Sequence, residues 1–286
     1  MAYKKGDRVI HPSLEEWGLG EVLEDSAGNK VRIFFVGIGE KTLSLDYVEP
    51  IMVQGDDAAH PLLDDLKPIN TSKGLKYQSL PHSIEIFLNL FPKGFYEEEY
   101  MNKEREYKIK AHNLALELLT EEGLKTLLDR GEYEEICSRA LKVVNATNLI
   151  FPNEKMALKD GLASQGSQRL FVESLFGLLY GKDEFRNRFE SFSNMLEEIN
   201  AAKWTTATYF PFLVEKGKNM FVKPTVTQHA AEVCAYQINY RSELNWLTYS
   251  RVLEFAEYLK KGISALNPRD MIDVQSFMWC ITPGKY

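Results

Sequence analysis

The fold is decided near the N-terminus by Gly6-Asp7-Arg8-Val9-Ile10-His11-Pro12 and, after a short loop, Trp17-Gly18-Leu19-Gly20-Glu21-Val22. Val9–His11 predicts a short strand that ends at Pro12, because proline cannot donate to a sheet ladder. Residues 17–24 predict a second strand, in which the two glycines permit sharp bending. Short strands separated by glycine are typical of a small β module.

The following residues extend this pattern. Residues 30–36 alternate along a third predicted strand. Its two faces are expected to carry Val31, Ile33 and Phe35 on one side and Arg32, Phe34 and Val36 on the other. Residues 41–45 predict a fourth strand, and residues 45–48 predict a closing turn. Together these short elements predict an SH3-like or Tudor-like barrel.

The two N-terminal strings resemble a known module. Gly6–Pro12 followed by Trp17–Val22 is similar to the Tudor-like module at the C-terminus of bacterial UvrD-type helicases. It is also similar to the RNA-polymerase-interacting module of CarD and the transcription-repair coupling factor. In those relatives the module docks onto RNA polymerase through an exposed strand edge, so the resemblance implies protein docking. No helicase motor is implied, because the chain has no Gly-rich phosphate loop ending in Gly-Lys-Ser/Thr.

Length and composition predict one small module and one larger domain. The chain has 286 residues, of which 44% are hydrophobic and 26% charged, as in an ordinary globular protein. We expect the barrel over residues 1–52, a Pro-, Gly- and Asp-rich linker over 53–78, and a mainly α-helical domain over 79–286. The predicted fold class is therefore α+β.

Helical periodicity dominates the larger domain. Its longest predicted helix is Glu97–Leu119, within which residues 104–108 are expected to form a solvated face with ion pairs four residues apart. Residues 204–224 interrupt the pattern with threonines, aromatic residues and two prolines, and predict a packed loop or a brief strand. Strings such as Phe91-Pro92-Lys93-Gly94-Phe95 resemble uncharacterised bacterial proteins, and this resemblance implies no activity.

Charge and residue spacing argue against several classes of function. The net charge of −7 argues against a broad nucleic-acid surface, so a protein partner is favoured over nucleic acid. No apolar run predicts a membrane span or a signal peptide, and the three distant cysteines predict buried free thiols in a cytoplasmic protein. The histidines lack metalloenzyme spacing. No metal, cofactor or catalytic residue is predicted, and the oligomeric state stays open.

Three residues of the barrel are candidates for partner binding. Trp17 is either an exposed binding aromatic or part of the core of the barrel. Phe34 and Arg32 share the face opposite the predicted core. Phe34 is expected either to face solvent or to pack on the second domain.

A possible groove in the helical domain is predicted from Lys223, Trp246 and Asp270. Lys223 and Trp246 lie in an aromatic-rich third of the chain that offers a surface for a peptide or a base. Asp270 belongs to a polar group with Arg269, Asp273 and Gln275. The simpler interpretation of that group is a helix cap formed by Asp270 or Asp273.

Two function hypotheses follow. The first is a bacterial interaction or adaptor protein whose barrel docks onto a protein partner, with transcription or DNA-repair machinery as the partner class. The alternative is a phage-defence or nucleic-acid-processing component with its site in the helical domain.

Overall fold

The N-terminal module is a five-stranded antiparallel sheet, followed by a mostly helical region. The computed structural model describes residues 2–60, 63, 80–234 and 236–286, together with the backbone of 69–71 and 74–76. This α+β layout confirms the predicted fold class. The strands are β1 (Arg8–Ile10), β2 (Gly20–Val22), β3 (Lys30–Phe35), β4 (Gly39–Ser44) and β5 (Ile51–Met52).

The predicted alternation along β3 is confirmed. Val31, Ile33 and Phe35 lie in one buried cluster with Val9 and Tyr3. The remaining face of β3 supplies a second, smaller cluster. Burial of these side chains is the main source of stability for so small a module.

Sheet order places β4 and β5 at the two edges. The order is β4-β3-β2-β1-β5, and among the described residues β4 and β5 do not pair, so the sheet is open. The expectation of a closed barrel is corrected accordingly. The fifth strand was also missed, because the sequence predicted only a turn before Glu49-Pro50. β5 has two residues, which is too short to show an alternating pattern.

Part of the predicted linker lies outside the described residues. Its described part contains a 3₁₀ turn at Gly55–Ala58. Ile69–Thr71 (β6) and Gly74–Lys76 (β7) form a two-stranded antiparallel ladder. The predicted boundaries at residues 52 and 78 stay predictions.

Helices dominate the chain after the predicted linker. They are α1 (Leu80–Leu90), α2 (Glu98–Tyr100), α3 (Glu106–Leu118), α4 (Glu121–Asp129), α5 (Tyr133–Asn145), α6 (Pro152–Gly161), α7 (Gln165–Tyr180), α8 (Phe185–Glu198), α9 (Trp204–Val214), α10 (Pro224–Val233), α11 (Trp246–Gly262) and α12 (Met271–Cys280). A π-helical segment, Met101–Arg105, joins α2 to α3. The long predicted helix over 97–119 therefore exists, but with an interruption that the sequence did not predict.

Helix α9 replaces the predicted loop or strand. Every residue from Trp204 to Leu213 is buried, so the helix has no polar face and no amphipathic period. Thr208 helps to bind this helix to the next segment. Its hydroxyl donates to the Trp204 carbonyl at 2.6 Å and accepts from the Val222 amide at 2.9 Å.

Two compact units make up the chain. The first comprises Met1–Pro92, Gln228–Gln237 and Cys280–Tyr286, and the second comprises Lys93–Thr227 and Ile238–Trp279. Cys137, Cys234 and Cys280 are buried free thiols, as predicted. In the described part of the chain, no helix combines the length and apolarity needed to cross a membrane.

Candidate functional site

An apolar pair lies at one edge of the N-terminal sheet. Ile10 on β1 and Ile51 on β5 stand directly opposite each other in the ladder, so their side chains share one face. They are 39% and 50% exposed. Next to them, Met52 is also exposed. Native proteins usually cover or charge an edge strand, so exposed isoleucines at this edge mark a candidate docking surface.

Trp17 lies between the core and the surface of the module. Its ring is half-buried, 4.7 Å from the His11 ring and 5.1 Å from the Phe35 ring between centroids. The Ser13 amide donates to Nδ1 of His11 at 3.2 Å. Trp17 therefore packs on the core through one side of its ring, and its proposed binding role stays a prediction.

Arg32 is held by two carboxylates of the module. Its guanidinium contacts Glu40 at 2.6 Å and Glu24 at 3.1 Å. The hydrogen bond with Glu40 is the main reason why the pKa of Arg32 is raised. A partner that recruits this guanidinium must compete with both carboxylates.

Phe34 does not face solvent, so that expectation is wrong. Its side chain is 1% exposed and packs in the smaller cluster with Leu23 and Leu63. Leu19 and Val36 complete the cover. The face of the sheet opposite the main core is thus itself buried at this point, because the chain beyond β5 returns over it with Leu63.

The second unit contains a buried network of ion pairs. Arg105 donates to the two carboxylate oxygens of Asp270 at 2.8 and 2.7 Å, and to Asp273 at 2.8 Å. Lys216 donates to Asp270 at 2.9 Å, and the Tyr100 hydroxyl donates to Asp273 at 2.7 Å. Because each buried charge has a partner of opposite sign, the network avoids the large cost of an isolated buried ion.

Asp270 is a helix cap as well as an ion-pair partner. Its Oδ1 accepts from the Ile272 amide at 3.1 Å and from the Asp273 amide at 3.4 Å, so the capping interpretation is confirmed. Burial alone would raise the pKa of Asp270, but hydrogen bonds from Arg105 and Lys216 outweigh it and lower the pKa to about 2. Both carboxylate oxygens of Asp270 are therefore occupied by partners of the network and of the helix cap.

The predicted solvated face over residues 104–108 is wrong in part. Glu104, Arg105 and Lys108 are 7%, 6% and 1% exposed. The π-helical segment holds one more residue per hydrogen-bonded turn than an α-helix, and this changes which side chains face inward. Lys108 donates to the Ser276 hydroxyl at 2.7 Å, so its charge is bonded in the interior.

A pocket of about 310 Å³ lies beside this network in the second unit. Five separate segments form it: the π-helical segment, α3, the loop before α6, the residue before α10, and α12. We call it the lysine–aromatic pocket. Its lining residues are Lys103, Glu104, Tyr107, Lys108, Asn148, Leu149, Phe151, Lys223, Gln275 and Trp279.

Lys223 occupies the aromatic side of this pocket. Its ammonium lies 4.4 Å from the centroid of the Phe151 ring and 5.0 Å from that of Trp279, within cation–π range of both. It also donates to the Leu149 carbonyl at 3.4 Å. The predicted groove residue Lys223 therefore does line a cavity.

Gln275 supplies a buried amide to the same pocket. The residue is 2% exposed, and Oε1 has no hydrogen-bond partner among the described residues. Buried polar groups are usually bonded, so an unsatisfied one in a pocket wall calls for an explanation. The sequence placed Gln275 in a polar group with Asp270 but did not connect it with Lys223.

Asp270 and Trp246 do not line the lysine–aromatic pocket. Asp270 lies in the buried network described above. The half-buried ring of Trp246 packs with Phe185, Phe189 and Tyr249, at centroid distances of 6.1, 6.0 and 6.1 Å. The three predicted groove residues thus belong to three different environments.

Comparison with known proteins finds a match for the N-terminal module only. Residues 3–53 match a family described as a protein of unknown function, DUF3553. The match spans all five strands of the sheet and ends before α1. No curated protein and no solved structure matches the chain.

In the described ranges, no group of three or more His, Cys, Asp or Glu side chains is arranged to hold a metal ion. The polar side chains of the lysine–aromatic pocket are mainly ammonium and amide groups. Such groups bind anions and hydrogen-bonding ligands rather than cations.

Proposed function

We propose that the chain is an interaction protein whose N-terminal module docks onto a protein partner. The observation that carries the proposal is the exposed Ile10–Ile51 pair at the edge strand β5. An edge strand offers unpaired backbone groups to an incoming strand, and adjacent apolar side chains add buried area on association. The helical region would then be the effector that the module brings to its partner.

RNA polymerase is the partner that we propose first, and a DNA-repair protein is the second. The support is the resemblance of Gly6–Pro12 and Trp17–Val22 to polymerase-docking modules. The acidic balance of the chain adds support, because it disfavours direct recruitment to nucleic acid. Trp17 and Arg32 are the other proposed contact residues of the module, and Arg32 lies on β3, next to β4 and away from the β5 edge.

The test measures binding of the full chain to purified bacterial RNA polymerase by biolayer interferometry. Ile51→Glu places a charge at the edge without burying it in the free protein, since the side chain is half exposed. We expect at least about a tenfold loss of affinity, equivalent to about 1.4 kcal/mol. Ala27→Glu is the matched control, because Ala27 is exposed in the turn between β2 and β3, away from the β5 edge.

Three outcomes would count against the proposal. Equal affinities for Ile51→Glu and the unmodified chain would exclude the β5 edge as the contact. Loss of binding only in Ala27→Glu would move the interface to the turn between β2 and β3. Absence of binding by the unmodified chain would exclude polymerase, and the same pair of variants would then be tested on a UvrD-type helicase.

The alternative is a nucleic-acid-processing component of a phage-defence system. The lysine–aromatic pocket is the observation in its favour, because lysines and stacking rings are the groups that hold nucleotides. Cleavage of labelled single-stranded and double-stranded DNA by the unmodified chain, abolished in Lys223→Ala, would favour this alternative over docking.

A further inference from the structure

The lysine–aromatic pocket has the size of a small-molecule site. Its volume of about 310 Å³ is at the lower end of the range of roughly 300–1,000 Å³ found for ligand pockets. All its lining residues belong to the second unit. What it binds is therefore independent of whether the N-terminal module docks onto a partner.

The charge of the pocket selects an anion. The pocket is lined by three lysines, Lys103, Lys108 and Lys223, and by one acidic side chain, Glu104. Lys108 pairs with Glu104 and donates to Ser276, and Lys103 pairs with Glu99 at the surface. Lys223 is the half-buried cation among them and is the best placed to receive an anionic group.

The rings add a flat apolar wall. Phe151 is 51% exposed, although it is a large apolar side chain at the margin of a pocket. Tyr107 and Trp279 are both partly buried and line the same space. A planar ring that stacks on Phe151 would cover its exposed surface, and base–aromatic stacking is a favourable contribution to nucleotide binding.

Gln275 requires a hydrogen-bond donor on the ligand. Its Oε1 is buried without a partner in the described part of the chain, and leaving a buried acceptor unsatisfied is unfavourable. Rotation of the Gln275 amide towards the pocket would let an N–H group at the edge of a ligand ring donate to Oε1 and remove that cost on binding. Asn148, exposed at the rim, can donate or accept at a second position.

We propose that the lysine–aromatic pocket binds a nucleoside monophosphate group. In this arrangement the phosphate lies against Lys223, the base stacks on Phe151, and an N–H of the base donates to Gln275 Oε1. A nucleoside monophosphate carries all three groups that these residues can bind: an anion for Lys223, a planar ring for Phe151 and an N–H donor for Gln275. The same group occurs free or at the 5′ end of an oligonucleotide.

Isothermal titration calorimetry on the full chain tests this proposal. The probes are AMP, GMP, CMP and UMP, a 5′-phosphorylated tetranucleotide, and inorganic phosphate alone. We expect at least one nucleotide to bind with one-to-one stoichiometry and a Kd below about 1 mM, and phosphate alone to bind at least tenfold more weakly. Tighter binding of the tetranucleotide than of any mononucleotide would identify a strand end as the source of the group.

Three variants examine the three contacts. Lys223→Gln, Gln275→Leu and Phe151→Ala are each expected to weaken nucleotide binding by about tenfold. Gln275→Leu should unfold at no lower temperature than the unmodified chain, because it removes the unpaired acceptor and keeps the side-chain volume similar. Lys218→Gln is the matched control, since the Lys218 side chain is 79% exposed and lies outside the pocket.

Three results would overturn the proposal. One is the absence of measurable heat with every nucleotide and with the tetranucleotide. Another is an unchanged Kd in both Lys223→Gln and Phe151→Ala while binding persists. Phe151→Ala keeps the test decisive if another variant fails to fold, because the exposed ring can be removed without opening the core. Binding of phosphate as tightly as nucleotide would also reject a base-recognising site.

Discussion

Removal of the Asp270 carboxylate tests whether the buried network stabilises the second unit. Asp270 accepts two hydrogen bonds from Arg105 at 2.8 and 2.7 Å and one from Lys216 at 2.9 Å. Asp270→Ala deletes these bonds and the helix cap, and leaves Arg105 with Asp273 alone. Breaking a buried pair in this way costs about 3–5 kcal/mol in the free energy of unfolding.

Asp270→Asn separates the charge from the cap, because the amide keeps an oxygen that can accept from the α12 amides. The depression of the Asp270 pKa to about 2 corresponds to about 2 kcal/mol of stability at neutral pH. We therefore expect Asp270→Asn to fall between the unmodified chain and Asp270→Ala. Urea unfolding followed by far-UV circular dichroism gives the three free energies, since the helices dominate that signal.

The lowered pKa of Asp270 also predicts that the free energy of unfolding depends on pH. Since the folded-state pKa of Asp270 lies below its ordinary value of 3.8, the unfolded chain binds more protons in acid. The contribution of the carboxylate is complete above about pH 4 and disappears as the pH falls through about 2. The difference in stability between the unmodified chain and Asp270→Asn should shrink over that interval.

The control for these measurements is Glu173→Gln. Glu173 pairs with Arg169 on the surface of α7, where both side chains are about half exposed or more. Exposed pairs of this kind contribute little, so the urea midpoint should not move. If Asp270→Ala and Asp270→Asn unfold at the same urea concentration as Glu173→Gln, the network does not stabilise the fold and the reasoning is refuted.

Three further predictions concern the packing. Gly20→Ala should destabilise the N-terminal module by about 1–3 kcal/mol, because the added Cβ would lie 2.7 Å from Ile33; an unchanged melting temperature would contradict this. Phe34→Ala should cost about 3–5 kcal/mol in urea unfolding, and a loss below about 1 kcal/mol would mean that its site is not packed. Burial raises the pKa values of Cys137 and Cys234 to about 12, so a thiol reagent at pH 8 should label them only after unfolding, and rapid labelling of the native chain would disprove their burial.

Local patterns predicted the elements of this fold better than their connections. The alternation in β3 and the glycines around Leu19 were sufficient to predict an antiparallel module. The two-residue strand β5 was missed because so short a segment has no period. Helix α9 was missed for the opposite reason, since a helix that is buried on every side has no polar face to reveal its repeat.

For the candidate site residues, too, the sequence predicted single residues better than the contacts between them. Lys223 was singled out as a groove residue because a lysine among aromatic residues is visible in the sequence; it lines the lysine–aromatic pocket, and its role in binding stays a prediction. Its association with Gln275 depends on contacts between the segment before α10 and α12, which no local pattern encodes. Phe34 was predicted to be exposed or to pack on the second domain because it alternates with the core residues of β3. Alternation shows that a strand has two different faces, but it does not show that both faces are covered, as they are here.

The π-helical segment explains why the network and the pocket occur together. An uninterrupted α-helix over 97–119 would keep the spacing that predicts a solvated face for residues 104–108. The segment Met101–Arg105 instead brings Arg105 to Asp270 at the start of α12, and Lys108 to Ser276 one turn further on. Gln275, between these two contacts, is thereby held in the pocket wall. The buried ion pairs thus fix the position of α12 against the segment that supplies Lys103 and Glu104, so that the residues that stabilise the second unit also set the shape of its candidate binding site.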